Sequence, residues 1–181
     1  MQNDTAFEMA SSNLRYGPGV TAEVGMDLAE LGVKKTLIVT DANLAKLPPV
    51  ATLRKSLDDA GVDYDIYDRV RVEPTDASFK DAIAFAQAGK YDAFVPIGGG
   101  STIDTCKVAN LFSCYPADFL DYVNPPIGKG KPVPGPIKPM IAIPTTAGTG
   151  SETTGVAIFD LVEMHAKTGI SHRRLKPILG I

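Results

Sequence analysis

Short apolar runs rich in β-branched residues alternate along this chain with longer stretches whose apolar positions recur three and four apart. That alternation predicts an α/β fold: a mainly parallel sheet with helices on both faces, because a crossover helix must return the chain before the next strand can lie parallel. Strands are expected at residues 36–40, 63–67, 93–97 and 140–143, and the first of them delivers Asp41 at its carboxyl end. Helices are expected at 21–31, with Val24, Leu28 and Leu31 on one face and Gly32 as the stop, and at 50–60, after Pro48-Pro49 and ending at Gly61. Two more are expected at 77–87 and 101–111. Ser101 with Asp104 resembles a capping box for the latter, with Asp in place of the usual Glu or Gln. Residues 13–16 read as an edge strand closed by Gly17-Pro18-Gly19, and 124–139, rich in Pro, Gly and Lys, as a long ordered loop. The segments 155–159, 168–171 and 178–181 read as short strands that finish the sheet. There is no internal repeat and no low-complexity tract.

Composition narrows the partners. At 181 residues the chain suits one domain with a substantial core. A net charge of −3 argues against a nucleic-acid partner, which needs clustered Lys and Arg. The one dense basic patch, His172-Arg173-Arg174 with Lys176, reads as a solvated edge. No apolar run approaches membrane-spanning length, so no membrane partner is expected. Cys106 and Cys114 lie eight apart in an apolar helical stretch and read as small buried hydrophobes, without the C-x-x-C spacing of a zinc or redox site. Reduced thiols suit an intracellular protein. The opening Met1-Gln2-Asn3-Asp4 matches neither a signal peptide nor an Arg-rich transit peptide, so a cytoplasmic location is expected, with the mitochondrial matrix as the alternative for a eukaryotic source. The chain stops inside the apolar run Ile178-Leu179-Gly180-Ile181, the pattern of a cut near a domain junction.

Two loops carry the chemistry. Pro144-Thr145-Thr146-Ala147-Gly148-Thr149-Gly150-Ser151-Glu152 follows one apolar strand, and Gly98-Gly99-Gly100-Ser101 follows another. Glycine lets backbone approach a phosphate with no Cβ in the way, and Thr and Ser add hydroxyl donors. Gly98 and Gly100 match the first two glycines of the dinucleotide fingerprint, but Ile103 stands where the third belongs, and Asp41 precedes the loop rather than following it. The combination is stronger than either motif: Asp41 for a ribose hydroxyl, the Gly98 loop for pyrophosphate, the Thr145 loop for the rest of a dinucleotide.

Plainer readings stand beside these. Gly98 to Ser101 also fits a tight strand-to-helix turn, and Asp41 alone fits a cap for a helix over 42–46. An unliganded 145–152 loop is disfavoured by the entropy of ordering so much small-residue backbone. Lys107 reads as a solvated helix residue. His165 and His172, seven apart in a polar segment, read as exposed rather than as metal ligands. No nucleophile–base arrangement and no carboxylate pair emerges, so the chain can hold a cofactor but shows no means of acting on a substrate.

The two loops together, with Leu37-Ile38-Val39-Thr40-Asp41, resemble the iron-containing (group III) alcohol dehydrogenases over nearly the whole chain. Within that family the stretches 70–76, 118–124, 127–132 and 151–160 are most similar to a transhydrogenase branch, and Glu73 stands where many plain dehydrogenases carry Asn. The resemblance implies a dehydroquinate-synthase-like nucleotide-binding domain over residues 1–181, with NAD as cofactor. It implies that Asp41 discriminates NAD from NADP, that Gly99, Gly100 and Ser101 meet the pyrophosphate, and that Asp104, Thr145, Thr146, Gly148 and Thr149 lie nearby. Lys167 falls where the family often places a cofactor-contacting lysine. The family's metal, iron or zinc, is held by one Asp and three His in a following helical domain that no position here matches, so this chain alone is expected to be inactive. Hydride would pass from a 4-hydroxy acid through bound NAD to a 2-oxo acid in a homo-oligomer. The rivals are an ordinary NAD-dependent alcohol dehydrogenase and a truncated, non-catalytic NAD-binding module.

Overall fold

Five strands pair into one parallel sheet in the order β2-β1-β3-β4-β7: β1 (Lys35–Val39), β2 (Asp63–Tyr67), β3 (Ala93–Gly98), β4 (Ile141–Pro144) and β7 (Leu179–Gly180). The computed structural model describes residues 12–181, and the opening Met1-Gln2-Asn3-Asp4 considered above lies outside them. β1 and β3 are covered on both faces, as parallel strands require. Ile38 and Val95 face a cluster with Val24 and Leu28 of α1 (Val24–Glu30) and with Leu53 and Leu57 of α2 (Pro48–Ala60). Leu37, Val39 and Phe94 face the opposite side, against Ala82 and Ala86 of α3 (Asp76–Ala88) and Cys106 and Ala109 of α4 (Gly100–Cys114). Helices on both faces of a mainly parallel sheet are therefore the observed fold.

Local chemistry sets most boundaries. α2 begins on Pro48 and Pro49, where a missing N–H costs nothing, and stops at Gly61 with a left-handed φ of 67°. α3 carries a reciprocal capping box between Thr75 and Ser78. The box expected at Ser101 and Asp104 does not form. Gly99 is the N-cap of α4, and no side chain caps it.

Two other expectations are corrected. Residues 155–159 and 168–171 do not finish the main sheet. They belong to β5 (Val156–Leu161) and β6 (Ala166–Ser171), an antiparallel hairpin in register Asp160↔Lys167. The turn between them, Val162–Met164 with His165, is too short for the crossover a parallel pair needs. The hairpin packs outside the helices, where Phe159 and Ile170 meet Phe79 and Val108 in a third apolar cluster. Residues 13–16 supply a single bridge, Leu14 to Gly180, and no strand. A four-residue helix, α5 (Phe119–Tyr122), precedes the irregular 124–139 loop and was not anticipated.

Candidate nucleotide-binding site

The strand order reverses between β1 and β3: the chain runs outward from β1 to β2 on one side and continues through β3 and β4 on the other. In open parallel sheets the crevice beyond the carboxyl ends at such a reversal is where ligands bind. Asp41 follows β1, Gly98–Ser101 follow β3, and Thr145–Thr149 follow β4, so the three predicted segments converge on one sheet edge. The Thr40 hydroxyl joins the ends of β1 and β3 through the Ile97 carbonyl. The N–H of Thr145 donates to the Gly98 carbonyl at 3.0 Å and joins the two loops.

Close packing explains the glycines. A Cβ at Gly98 would collide with the Thr102 side chain. One at Gly99 would lie 3.2 Å from Thr146 Oγ1, and one at Gly100 3.0 Å from Thr149 Cγ2 and 3.1 Å from Ser151 Oγ. Gly148 and Gly150 hold left-handed φ of 101° and 67°, which bends the Thr145 loop back on itself. The first N–H groups of α4 between these loops carry no side-chain cap, and the helix dipole favours negative charge at such an end. Ser101 Oγ accepts the N–H of Glu73 at 3.2 Å, and Glu73 itself is held at a left-handed φ of 53°.

The Asp41 carboxylate is held by the backbone that follows it. Its Oδ1 accepts the N–H groups of Asn43 and Leu44, at 2.9 and 3.0 Å, which caps the short turn Leu44–Lys46. The same two bonds fix the carboxylate just past the carboxyl end of β1.

Other residues stand differently from expectation. Lys107 is not solvated: it is 0% exposed, and its Nζ donates to the Val156 carbonyl at 2.7 Å and lies 3.4 Å from Asp104 Oδ1. The carboxylate of Asp104 is turned into the protein, where Oδ2 accepts the N–H of Ile158 at 3.0 Å. Burial pushes the Asp104 carboxyl above its usual range and the Lys107 ammonium below its own, each partly offset by the other's charge. Lys167 lies on the hairpin, exposed, in an ion pair with Asp160 at 3.0 Å. It makes no contact with the loop residues. The signal that could have placed Lys107 is its spacing: Asp104, Lys107 and Asn110 recur three apart as one polar stripe on a helix that is buried from Thr102 to Phe112.

A metal does not fit these residues. Among the described residues no three His, Cys, Asp or Glu side chains gather around one point. His165 is exposed on the hairpin turn, with φ 48°. His172 is half-buried rather than exposed, and its Nδ1 accepts the N–H of Arg174. Cys106 is buried as expected, and burial pushes its thiol far from ionisation.

The family model for iron-containing alcohol dehydrogenases matches residues 11–181. The chain is 62% identical over 179 residues to the mitochondrial hydroxyacid-oxoacid transhydrogenase of Rattus norvegicus, covering 98% of this chain and 38% of that protein. It is 63% identical to the Bos taurus protein of the same name, with the same coverage. The chain thus spans less than two fifths of these relatives' length. Among solved structures, an alcohol dehydrogenase from Oenococcus oeni superposes with a TM-score of 0.84 at 33% identity, over 93% of this chain and 43% of that one.

Proposed function

The chain belongs to the iron-containing alcohol dehydrogenase family, and from that premise we propose that residues 1–181 form the NAD-binding part of a hydroxyacid–oxoacid transhydrogenase. In the complete protein a 4-hydroxy acid gives up hydride and a 2-oxo acid receives it, with the cofactor retained between the two steps. One observation carries the reading: the ends of β1, β3 and β4 bring Asp41, the Gly98 loop and the Thr145 loop to one crevice at the reversal of strand order.

NAD, when bound, supplies the hydride-accepting nicotinamide. The protein's own groups hold it. Asp41 accepts a hydrogen bond from the ribose 2′-OH and repels a 2′-phosphate, which selects NAD over NADP. The N–H groups of Gly99, Gly100 and Ser101 meet the pyrophosphate at the start of α4. Thr145, Thr146, Gly148 and Thr149 close the opposite wall, their hydroxyls available as donors. Lys167 reaches the cofactor from the hairpin once its ion pair with Asp160 opens. The iron or zinc of the family would be held by residues other than those described, among which no three candidate ligands gather. The relatives' mitochondrial naming favours the mitochondrial matrix over the cytoplasm, and a homo-oligomer of the complete protein completes the proposal.

An ordinary NAD-dependent alcohol dehydrogenase is the second reading, favoured by the likeness to the Oenococcus oeni enzyme. Calorimetric titration of the 181-residue chain with NAD and NADP tests the site: NAD is expected to bind more tightly, and no binding of either at about 1 mM, the upper end of ordinary substrate affinities, would remove it. For the complete protein, 4-hydroxybutyrate with a 2-oxo acid should turn over without free NADH. Release of NADH on adding the alcohol alone would favour the second reading.

A further inference from the structure

The hairpin β5–β6 meets the rest of the protein through an edge, and that edge is completed by charged side chains. Backbone groups of alternate strand residues point to opposite edges. The even-numbered residues of β5 point away from β6. The carbonyl of Val156 accepts from Lys107 Nζ at 2.7 Å, the N–H of Ile158 donates to Asp104 Oδ2 at 3.0 Å, and the N–H of Asp160 donates to the Pro74 carbonyl at 2.8 Å. Asp104 and Lys107 stand where a neighbouring strand would stand, and their own contact of 3.4 Å locks the two together.

The same pair reaches the nucleotide crevice. Ser151 stands beside Asp104 as well, near enough for its hydroxyl to favour the ionised carboxyl, and that oxygen lies 3.1 Å from the position a Cβ would occupy on Gly100. Asp104 sits one helical turn after Gly100, on the helix whose first N–H groups face the crevice. One pair therefore sets the distance between the start of α4, the end of the Thr145 loop and the hairpin that carries Lys167. Stability does not require a charged solution here. Two desolvated charges hold a fold no better than well-packed apolar residues of similar volume, and often less well. What the ions add is direction, since each accepts or donates only along fixed lines.

We propose that Asp104 and Lys107 are positioning residues for the cofactor site: they act through the hairpin and Ser151, without touching the cofactor. This assignment rests on the NAD reading above and changes the role that sequence gives Asp104, from cofactor contact to clamp.

The test uses the 181-residue chain with Lys107→Met, Asp104→Asn and the double variant, measured by urea unfolding, amide hydrogen exchange and NAD calorimetry. Each single variant leaves one buried charge unpartnered, so both should lower the urea midpoint and speed exchange across β5–β6 relative to β1 and β3. In conditions where the variants remain folded, NAD affinity should fall about fivefold to twentyfold, the range expected for a residue coupled to a site it does not touch. The double variant, free of an unpaired charge, should regain stability but not NAD affinity. Asp104→Asn keeps an acceptor for Ile158 and should weaken NAD less than Lys107→Met does. Unchanged hairpin exchange, or wild-type NAD affinity in the folded double variant, overturns the positioning role. A wild-type chain that binds no NAD overturns the nucleotide reading instead, and hairpin exchange in the variants then decides the clamp on its own.

Discussion

The hydroxyl of Thr40 donates to the carbonyl oxygen of Ile97 at 2.9 Å, tying the end of β1 to the end of β3 across the point where the strand order reverses. Thr40 is fully buried there, and its own N–H and C=O are taken by Tyr67 and Val70. The bond thus fixes the separation of Asp41 and Gly98, the two ends that a dinucleotide would have to bridge. Thr40→Val keeps the shape and removes the donor. It should cost about 1 kcal/mol in urea unfolding, the usual worth of such a bond, and weaken NAD in calorimetry by more than that stability loss explains. Unaltered affinity would mean that the spacing of the two ends does not matter.

Asp41→Ala should narrow the preference for NAD over NADP. The carboxylate is held by two N–H groups and cannot turn away from a 2′-phosphate without giving them up. The variant also loses a cap, so a destabilisation of about 1 kcal/mol is expected alongside. Titrating both cofactors separates the effects: the cap loss weakens both equally, and only the ratio reports on the ribose. A constant ratio would leave Asp41 as a cap and nothing more.

Two glycines make a paired test of the crevice. A side chain at Gly100 would press on Thr149 and Ser151, whereas a Cβ at Gly148 meets nothing within 4 Å but would have to adopt φ 101°. Gly100→Val should therefore lower NAD affinity at least about tenfold, or 1.4 kcal/mol, in a chain whose circular dichroism is unchanged. Gly148→Ala should show the reverse emphasis, with a strain cost of about 1–2 kcal/mol in stability. Full NAD affinity in folded Gly100→Val would sink the pyrophosphate assignment.

Acid should destabilise the domain through four carboxylates. Hydrogen bonds from Arg69 and Tyr67 hold Asp81 below the usual carboxylate range, Lys35 and Tyr91 do so for Asp65, Lys80 for Asp76, and Lys129 with Lys131 for Asp121. A depressed folded pKa gives stability that is present above the unfolded value of about 4 and is lost as pH falls through the folded one. Urea midpoints should be level from about pH 7 to 5 and fall below about pH 4. Asp104, whose carboxyl burial raises, works against this trend. Because Asp81 and Asp65 are nearly half exposed, each contributes little. Asp81→Asn should flatten the acid limb, and an unchanged limb would remove that pair from the account.

The sheet was legible because parallel strands must be apolar on both faces, so the runs around Ile38, Val95 and Ile141 declare themselves without periodicity. The site loops were legible for a related reason, since glycine and small hydroxyl residues directly after such runs have little structural use. What the sequence hid was the role of charge inside α4. A lysine between apolar neighbours gives no local sign of its partner when that partner is the backbone of Val156, 49 residues away. The hairpin was misassigned for the same kind of reason. Strand propensity at 156–161 and 166–171 says that residues are extended, while the length of the connection decides which sheet they can join.

Metal supplementation of this chain should restore no activity. A catalytic site needs about three protein ligands and an open position. Of the candidates, Cys106 is buried with its ionisation suppressed, the Asp104 carboxylate is committed to Ile158 and Lys107, and His172 spends Nδ1 on Arg174. His172 is also flanked by Arg173 and Arg174, and its pKa is lowered, first by burial and then by those charges. The cationic neighbours that disfavour a proton on the ring disfavour a metal ion beside it as well. His165 is left exposed on the hairpin turn and joins no group of three such side chains among the described residues. The purified chain, incubated with ferrous iron or zinc and dialysed, should therefore retain well under one equivalent of metal. It should show no hydride transfer from 4-hydroxybutyrate to a 2-oxo acid, even where calorimetry shows NAD bound. Stoichiometric metal together with turnover above the no-enzyme control would mean that this chain gathers its ligands in a conformation other than the one described, and that the division between cofactor-holding and metal-holding residues has been drawn in the wrong place.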